Sequence, residues 1–233
     1  MKFKKLILIV LLIGFVSPVF PQEEEKNEKI VIFRHDFMSR YVLYPFGIDF
    51  VPNNNMFNML GGGVYKKDKF SIYNYAGKSK DYAEIGLIFD YILNLTDNVR
   101  SKTTFFGVSW WFLEEDEGEW GVMISEEIGL QATLNPSIGY AYLWVSESKE
   151  FIGHFFYVGI SDQIKGVNWE VKLGYNKEFC VDNVEGFTFL LGLSKTISWT
   201  NKLFTDFSIR YYLNDKEINE NEIVFGISTS IIF

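Results

Sequence analysis

The sequence has little of what soluble catalytic sites and cross-linked folds are built from. Of its 233 residues one is cysteine, two are histidine and five are proline. Cys180 has no partner in the chain, which excludes an internal disulfide, and one cysteine with His35 and His154 cannot build a conventional His/Cys zinc site. Positive charge is also scarce. Lys and Arg number 22 against 30 Asp and Glu, a net charge of -8, and loss of Lys2, Lys4 and Lys5 with a cleaved leader takes it to -11. So acidic a chain is a poor nucleic-acid binder. Beyond Val16 no apolar run approaches the roughly 18 residues of a membrane helix.

What is present is aromatic and alternating. Phe, Tyr and Trp make up 18% of the chain, and apolar residues 48%. Met1-Lys-Phe-Lys-Lys5 followed by the apolar Leu6 to Val16 is a basic region plus an apolar core too short to cross a bilayer. It reads as a secretory signal over 1–21. A solvated charged leader over 22–29 and one β domain over 30–233 follow. An exported bacterial chain without a helical span is either periplasmic or a closed membrane barrel, because only helices and closed barrels satisfy their backbone groups in lipid.

Twelve strands are expected, roughly at 31–44, 55–66, 69–77, 81–95, 99–113, 119–134, 136–146, 150–163, 166–178, 186–198, 202–213 and 222–233, with ten or fourteen as alternatives. Apolar alternation is clearest in Ala83/Ile85/Leu87/Phe89/Tyr91, Thr104/Phe106/Val108/Trp110/Phe112, Ile138/Tyr140/Tyr142/Trp144, Val167/Trp169/Val171/Leu173/Tyr175, Phe187/Phe189/Leu191/Leu193 and Leu203/Thr205/Phe207/Ile209/Tyr211. The opposite parity is small or polar, for example Gly107 and Ser109, or Asn168, Glu170 and Lys172. A sandwich shows the same period, so connection lengths must separate it from a barrel. Connections after even-numbered strands read as tight turns: 67–68, Leu95-Thr-Asp-Asn98, Asn135-Pro136, Gln163-Ile-Lys165 and Trp199-Thr-Asn201. Those after odd-numbered strands are generally longer and acidic, as surface loops of a membrane barrel are. Tyr91, Trp110, Trp120, Trp144, Trp169, Trp199 and Tyr211 fall near strand ends, where an interfacial girdle belongs.

The last stretch, Glu222 to Phe233, places Phe225, Ile227, Thr229, Ile231 and Phe233 on one face and Gly226, Ser228 and Ser230 on the other. It resembles the closing strand of Gram-negative outer-membrane proteins. That likeness implies recognition by the barrel-assembly machinery and burial of the outer face in membrane lipid.

The interior face of such a barrel is expected to carry Arg34, Asp36, Arg40, Glu84, Asp90, Glu127, Glu170, Lys172, Asp206, Arg210 and Glu222, seven acids and four bases. A water-filled lumen with that excess leans toward cations. If the same charges pair across a narrow lumen they plug it. The sequence leaves both open.

Catalytic patterns fail on spacing. Glu126 and Glu127 are adjacent and point to opposite faces of a regular strand, so they cannot act as an acid/base pair unless a bulge intervenes. His154 lacks the neighbouring Ser of the outer-membrane phospholipase. Gly61-Gly-Gly63 has no helix after it and reads as a close backbone contact rather than a phosphate loop. The acidic run from Glu114 to Glu119 lacks the ligand spacing of a calcium loop and reads as a solvated face. No enzyme activity, metal or cofactor is expected.

Arg40-Tyr-Val, Glu84 before a strand ending Asp90-Tyr91, the run Glu127 to Ser137 with its Leu134-Asn-Pro-Ser turn, and Tyr157-Val-Gly-Ile-Ser161 together resemble the TorF-like porins. The resemblance covers most of the mature chain and implies no catalytic residue. The expectation is an outer-membrane barrel for passive diffusion of small hydrophilic solutes. A non-conducting structural or surface-binding barrel is the second reading, and an outer-membrane hydrolase using His154 the third.

Overall fold

The computed structural model describes residues 29–40, 42–43, 48–49, 56–66, 69–113, 117–132, 134–145, 152–178, 185–215 and 221–233. The signal region, residues 22–28 of the leader, Cys180 and most of the acidic loops lie outside the described residues.

Fourteen strands are described: β1 (Lys29–Met38), β2 (Val42–Leu43), β3 (Ile48–Asp49), β4 (Phe57–Lys66), β5 (Phe70–Lys78), β6 (Tyr82–Asn94), β7 (Val99–Phe112), β8 (Glu117–Leu130), β9 (Ser137–Val145), β10 (Ile152–Ile164), β11 (Val167–Lys177), β12 (Glu185–Ser198), β13 (Leu203–Asn214) and β14 (Glu222–Ile232). Twelve form a closed barrel, each antiparallel to its neighbours, and β2 pairs only with β3. The seam joins β1 to β14 from Ile32↔Ile232 to Met38↔Gly226, while β1 pairs on its other edge with β4. A strand of about 12 residues tilted by about 40° rises about 30 Å, the thickness of a bilayer's hydrocarbon core.

Side chains divide by parity as a period of two demands. Phe33, Leu87, Phe156, Leu173 and Phe225 stand exposed on the outside, whereas Phe57, Tyr82, Phe155, Leu190 and Tyr212 are buried within. The closing strand follows this rule, with Phe225, Ile227, Ile231 and Phe233 all exposed on the outer face.

Local chemistry closes the short turns. At Lys165-Gly166 both residues have positive φ, 51° and 76°, the two-residue form whose twist suits a hairpin. The turns after β6 and β12 repeat one design. Thr96 Oγ1 accepts the amides of Asn98 and Val99, and Thr200 Oγ1 accepts those of Lys202 and Leu203. Leu95 and Trp199 then donate to the carbonyls of Val99 and Leu203, both at 2.9 Å.

Two expected strands are shorter than the sequence suggests. The first ends at Met38 rather than near 44, and the sixth ends at Leu130 rather than 134. Left-handed backbone at Leu134 (φ 69°) and Asn135 (φ 29°) turns the chain there.

A larger correction concerns β7. The expected outer set, Phe106, Val108 and Trp110, faces inward. Trp110 is 6% exposed while Phe105 is 43% exposed on the outside. The aromatic doublets Phe105-Phe106 and Trp110-Trp111 make both parities plausible by sequence. Pairing decides between them, since Glu84↔Trp110 and Phe106↔Met123 tie β7 to the interior faces of β6 and β8. Trp110 therefore leaves the girdle expected from the sequence.

Inside, large rings lie over glycines of adjacent strands. A Cβ on Gly139 would stand 2.2 Å from the Tyr157 ring, and one on Gly174 would stand 2.1 Å from the Phe155 ring. Gly61 and Gly63 similarly lie against Tyr73, so the Gly61–Gly63 run provides the close contact expected of it. Gly139→Ala is expected to cost about 1–3 kcal/mol by overpacking, whereas Gly107→Ala, with nothing within 4 Å of its Cβ, should stay within about 0.5 kcal/mol. Urea unfolding of the lipid-refolded barrel measures both, and equal effects would contradict the packing.

Candidate functional site

The interior has two zones. Toward the longer loops, Phe57, Tyr82, Met123, Leu143, Phe155 and Leu190 are all under 9% exposed and fill the space between the walls. Glu84 is buried in this zone and accepts a hydrogen bond from Tyr82 Oη at 2.6 Å. Glu222 is buried at the same end, where Arg40 NH1 donates to its Oε2 at 2.5 Å. Toward the short turns the wall is polar and more open.

Between the zones lies a ladder of charges. Tyr157 Oη of β10 donates to Glu127 Oε2 of β8 at 2.5 Å. Lys172 Nζ of β11 lies 3.6 Å from Glu127, 3.9 Å from Glu170 and 4.9 Å from the centre of the Tyr157 ring. Arg210 Nε of β13 reaches Glu170 Oε1 at 3.8 Å. Glu127 and Lys172 belong to strands separated by β9 and β10, so their contact runs through the interior. It does so because Gly139 presents no side chain between them and Gly192 likewise leaves room for Glu170. Positive and negative groups therefore alternate around half the wall.

On β1, between its middle and its loop-side end at Met38, Arg34 Nε pairs with Asp36 at 2.8 Å. The turn-side zone holds Asp90 and Asp206. Asp90 accepts Ser71 Oγ and Thr104 Oγ1, and Lys102 Nζ stands 3.2 Å from it. Asp206 accepts Thr196 Oγ1 at 2.5 Å. Beside Glu170 and Arg210 a cavity of about 400 Å³ is lined by Asn135, Ser161, Gln163, Asn168 and Ser194. Its amides and hydroxyls suit uncharged polar groups of a solute.

By strand parity ten of the eleven charged residues singled out from the sequence share the interior face, and Arg40, beyond the end of β1, reaches Glu222. The ladder brings Glu127, Glu170, Lys172 and Arg210 together, whereas Arg40 and Glu222, Glu84, and Asp206 occupy separate places. Sequence reasoning missed Arg100, Lys102 and Glu119, which share the interior parity through Arg100↔Gly129, Lys102↔Glu127 and Trp110↔Glu119. The missed bases follow from the reversed face of β7, and only the pairing with β8 could have found them. Added to the eleven, these three make eight acids and six bases among the residues named.

The remaining catalytic candidates do not converge. No bulge interrupts β8, so Glu126 faces out and Glu127 in. His154 also faces outward, and its Nδ1 contacts Tyr140 Oη at 2.7 Å. His35 lies on β1, which is not a neighbour of β10. Among the described residues no group of His, Cys, Asp or Glu side chains is arranged to hold a metal ion.

No protein-family model matches the sequence, and no curated protein matches it. Solved structures do match the fold. The KdgM porin in complex with disordered oligogalacturonate superposes with a TM-score of 0.55 at 9% identity, covering 88% of this chain and 99% of that one. The NanC porin gives 0.53 at 9% identity, covering 86% and 98%. An outer-membrane channel from Pseudomonas putida F1 gives 0.52 at 12% identity, covering 94% and 100%. The chain thus has the closed twelve-stranded fold of small outer-membrane channel proteins.

Proposed function

We propose that this chain is an outer-membrane porin, related to the TorF-like porins, through which small hydrophilic solutes diffuse passively. Its signal peptide directs export, its closing strand is read by the barrel-assembly machinery, and its outer face is solvated by membrane lipid. The observation that carries the reading is the polar interior wall running from the ladder of Glu127, Lys172, Glu170 and Arg210 into the turn-side cavity. A purely structural barrel has no need of a polar cavity beside paired charges. The shared fold with the KdgM and NanC porins supports it.

The interior acids outnumber the bases, so the pore leans toward cations. The lean is smaller than the sequence alone suggests, because Arg100 and Lys102 offset part of the acidic excess. Selectivity then follows the charges of the ladder, where a single residue changes the local balance.

A second reading rests on a specific observation. The loop-side interior is filled by buried Phe57, Tyr82, Phe155 and Leu190, which favours a non-conducting structural or surface-binding barrel. Single-channel recording of the refolded mature protein in a planar bilayer decides between the two. Stable steps are expected, with a reversal potential in a salt gradient that marks modest cation preference. A barrel that folds and inserts yet stays silent overturns the porin reading and leaves the structural one.

Lys172→Gln is expected to raise the cation-to-anion permeability ratio, and Glu170→Lys to lower it. Lys172→Gln, a change of one charge, should shift the ratio about fivefold, the effect of about 1 kcal/mol between charges some 4 Å apart in water, and Glu170→Lys, a change of two, by about twice that energy. Reversal potentials that both variants leave unmoved would remove the ladder from the conduction path.

A further inference from the structure

The outer apolar band is interrupted at one place on β8. Glu126 faces outward between Ile124 and Ile128, each 42% exposed. Its Oε1 accepts the hydroxyl of Ser101 and its Oε2 that of Thr103, both from the outer face of β7. Ser101 is 7% exposed despite its outward position, so the carboxylate and its donors form a compact unit. Both oxygens serve as acceptors, the arrangement that suits a charged carboxylate rather than a neutral acid.

Pairing sets this unit in a row. Tyr91 of β6 stands opposite Thr103, Thr103 opposite Glu126, and Glu126 opposite Tyr140 of β9. Tyr91 is about half exposed, and Tyr140 is braced by His154 and by the Phe156 ring at 4.7 Å. The carboxylate therefore has outward Tyr140 on the adjoining strand at one side and, beyond Thr103, outward Tyr91 at the other. It lies four residues from the turn-side end of β8 at Leu130, about 10 Å along a tilted strand.

What the unit lacks is a positive charge. Among the described residues no Lys or Arg pairs with Glu126; the nearby bases Lys102 and Lys172 face inward to Asp90, Glu127 and Glu170. A carboxylate at this depth is costly in lipid unless a cation meets it. No base among the described residues is placed to supply that cation, so the partner sought is an external one that suits a carboxylate beside aromatic rings. A primary ammonium fits, since it donates hydrogen bonds to the carboxylate and lies favourably against ring faces.

We propose that Glu126, with Tyr91 and Tyr140, binds the ammonium headgroup of an aminophospholipid such as phosphatidylethanolamine on the outer wall of the barrel. The proposal rests on the membrane reading above and is independent of conduction. The competing occupant is a second copy of the chain offering a base from its own outer face, such as Lys195 of β12. Lipid is favoured because exposed side chains surround the carboxylate, Tyr91 at 48% one strand beyond Thr103 and Ile138 at 58% diagonal to Glu126 on β9, a surface with more relief than a flat second wall of strands would meet.

The test is native mass spectrometry of the full mature barrel refolded into mixed micelles with equal phosphatidylethanolamine and phosphatidylcholine. The quaternary ammonium of phosphatidylcholine keeps its charge but cannot donate a hydrogen bond. Retained phosphatidylethanolamine should exceed phosphatidylcholine by about tenfold, the return of one charge-assisted hydrogen bond. Glu126→Gln should erase the preference, Glu126→Asp should retain part of it, and Glu127→Gln, which faces inward, should leave it intact. Heat-modifiable migration in gels reports that each variant has folded. Equal retention of the two lipids by the unaltered protein overturns the proposal even if every variant misfolds. So does a preference that survives Glu126→Gln, or a dimer that holds no lipid. A chain that does not insert into micelles at all overturns the membrane reading, which separates that failure from a barrel that inserts without lipid preference.

Discussion

The pairing of β1 with β14 is the constraint on which the rest depends. In hydrocarbon an unpaired amide or carbonyl has no water to turn to and costs several kcal/mol, so an open sheet of this length would carry two ruinous edges. Joining Ile32 to Ile232 and Met38 to Gly226 removes both. Closure also gives the sheet an inside and an outside. From then on each residue's parity decides whether it meets an apolar surround or its opposite numbers across the lumen.

That division explains how the interior holds so many charges without a soluble core. Each member of the ladder has a partner of opposite sign on another strand, and the glycines between them let side chains from non-adjacent strands meet. Twelve strands enclose more room than the eight of a filled barrel and less than the sixteen of an open porin. The interior reflects that intermediate size, with packed rings toward the loops and polar side chains around a cavity toward the turns. The charges neutralise one another locally, so the field inside comes from a small excess rather than from a ring of one sign.

Most of the architecture was legible in the sequence because a period of two is a strong signal when one face must be apolar. Twelve strands, the alternation of Ile85, Leu87 and Phe89, the closing strand and the tight turns at 95–98 and 199–201 could all be read directly. Three features could not. The first strand's end near Met38 carries no turn signal of its own. The end of β8 depends on left-handed backbone at Leu134, a residue that does not announce such a conformation. The face of β7 was hidden because Phe105-Phe106 and Trp110-Trp111 satisfy either parity, and with it went the inward course of Arg100 and Lys102.

The choice that β7 makes is set by its neighbours. On the interior faces of β6 and β8 stand Gly86 and Gly121, both opposite Val108; the Tyr75 ring of β5 fills the place of a Gly86 side chain, and the Trp110 ring comes within 3.2 Å of where a Gly121 Cβ would be. The small residue on β8 needs a bulky neighbour to fill the space beside it, and Trp110, with Phe106 opposite Met123, provides it. Because the period is two, sending Phe106, Val108 and Trp110 inward sends Ser101 and Thr103 outward and Lys102 inward in the same stroke. The pairs Lys102↔Glu127 and Thr103↔Glu126 then stand next to each other on opposite faces of one ladder. Interior packing toward the loops thus fixes both the charge balance within and the hydroxyl-held carboxylate without. A one-residue slip of β7 would lose all three at once, which is why the polar outer row of Glu126 is tied to the aromatic interior rather than being a separate accident of sequence.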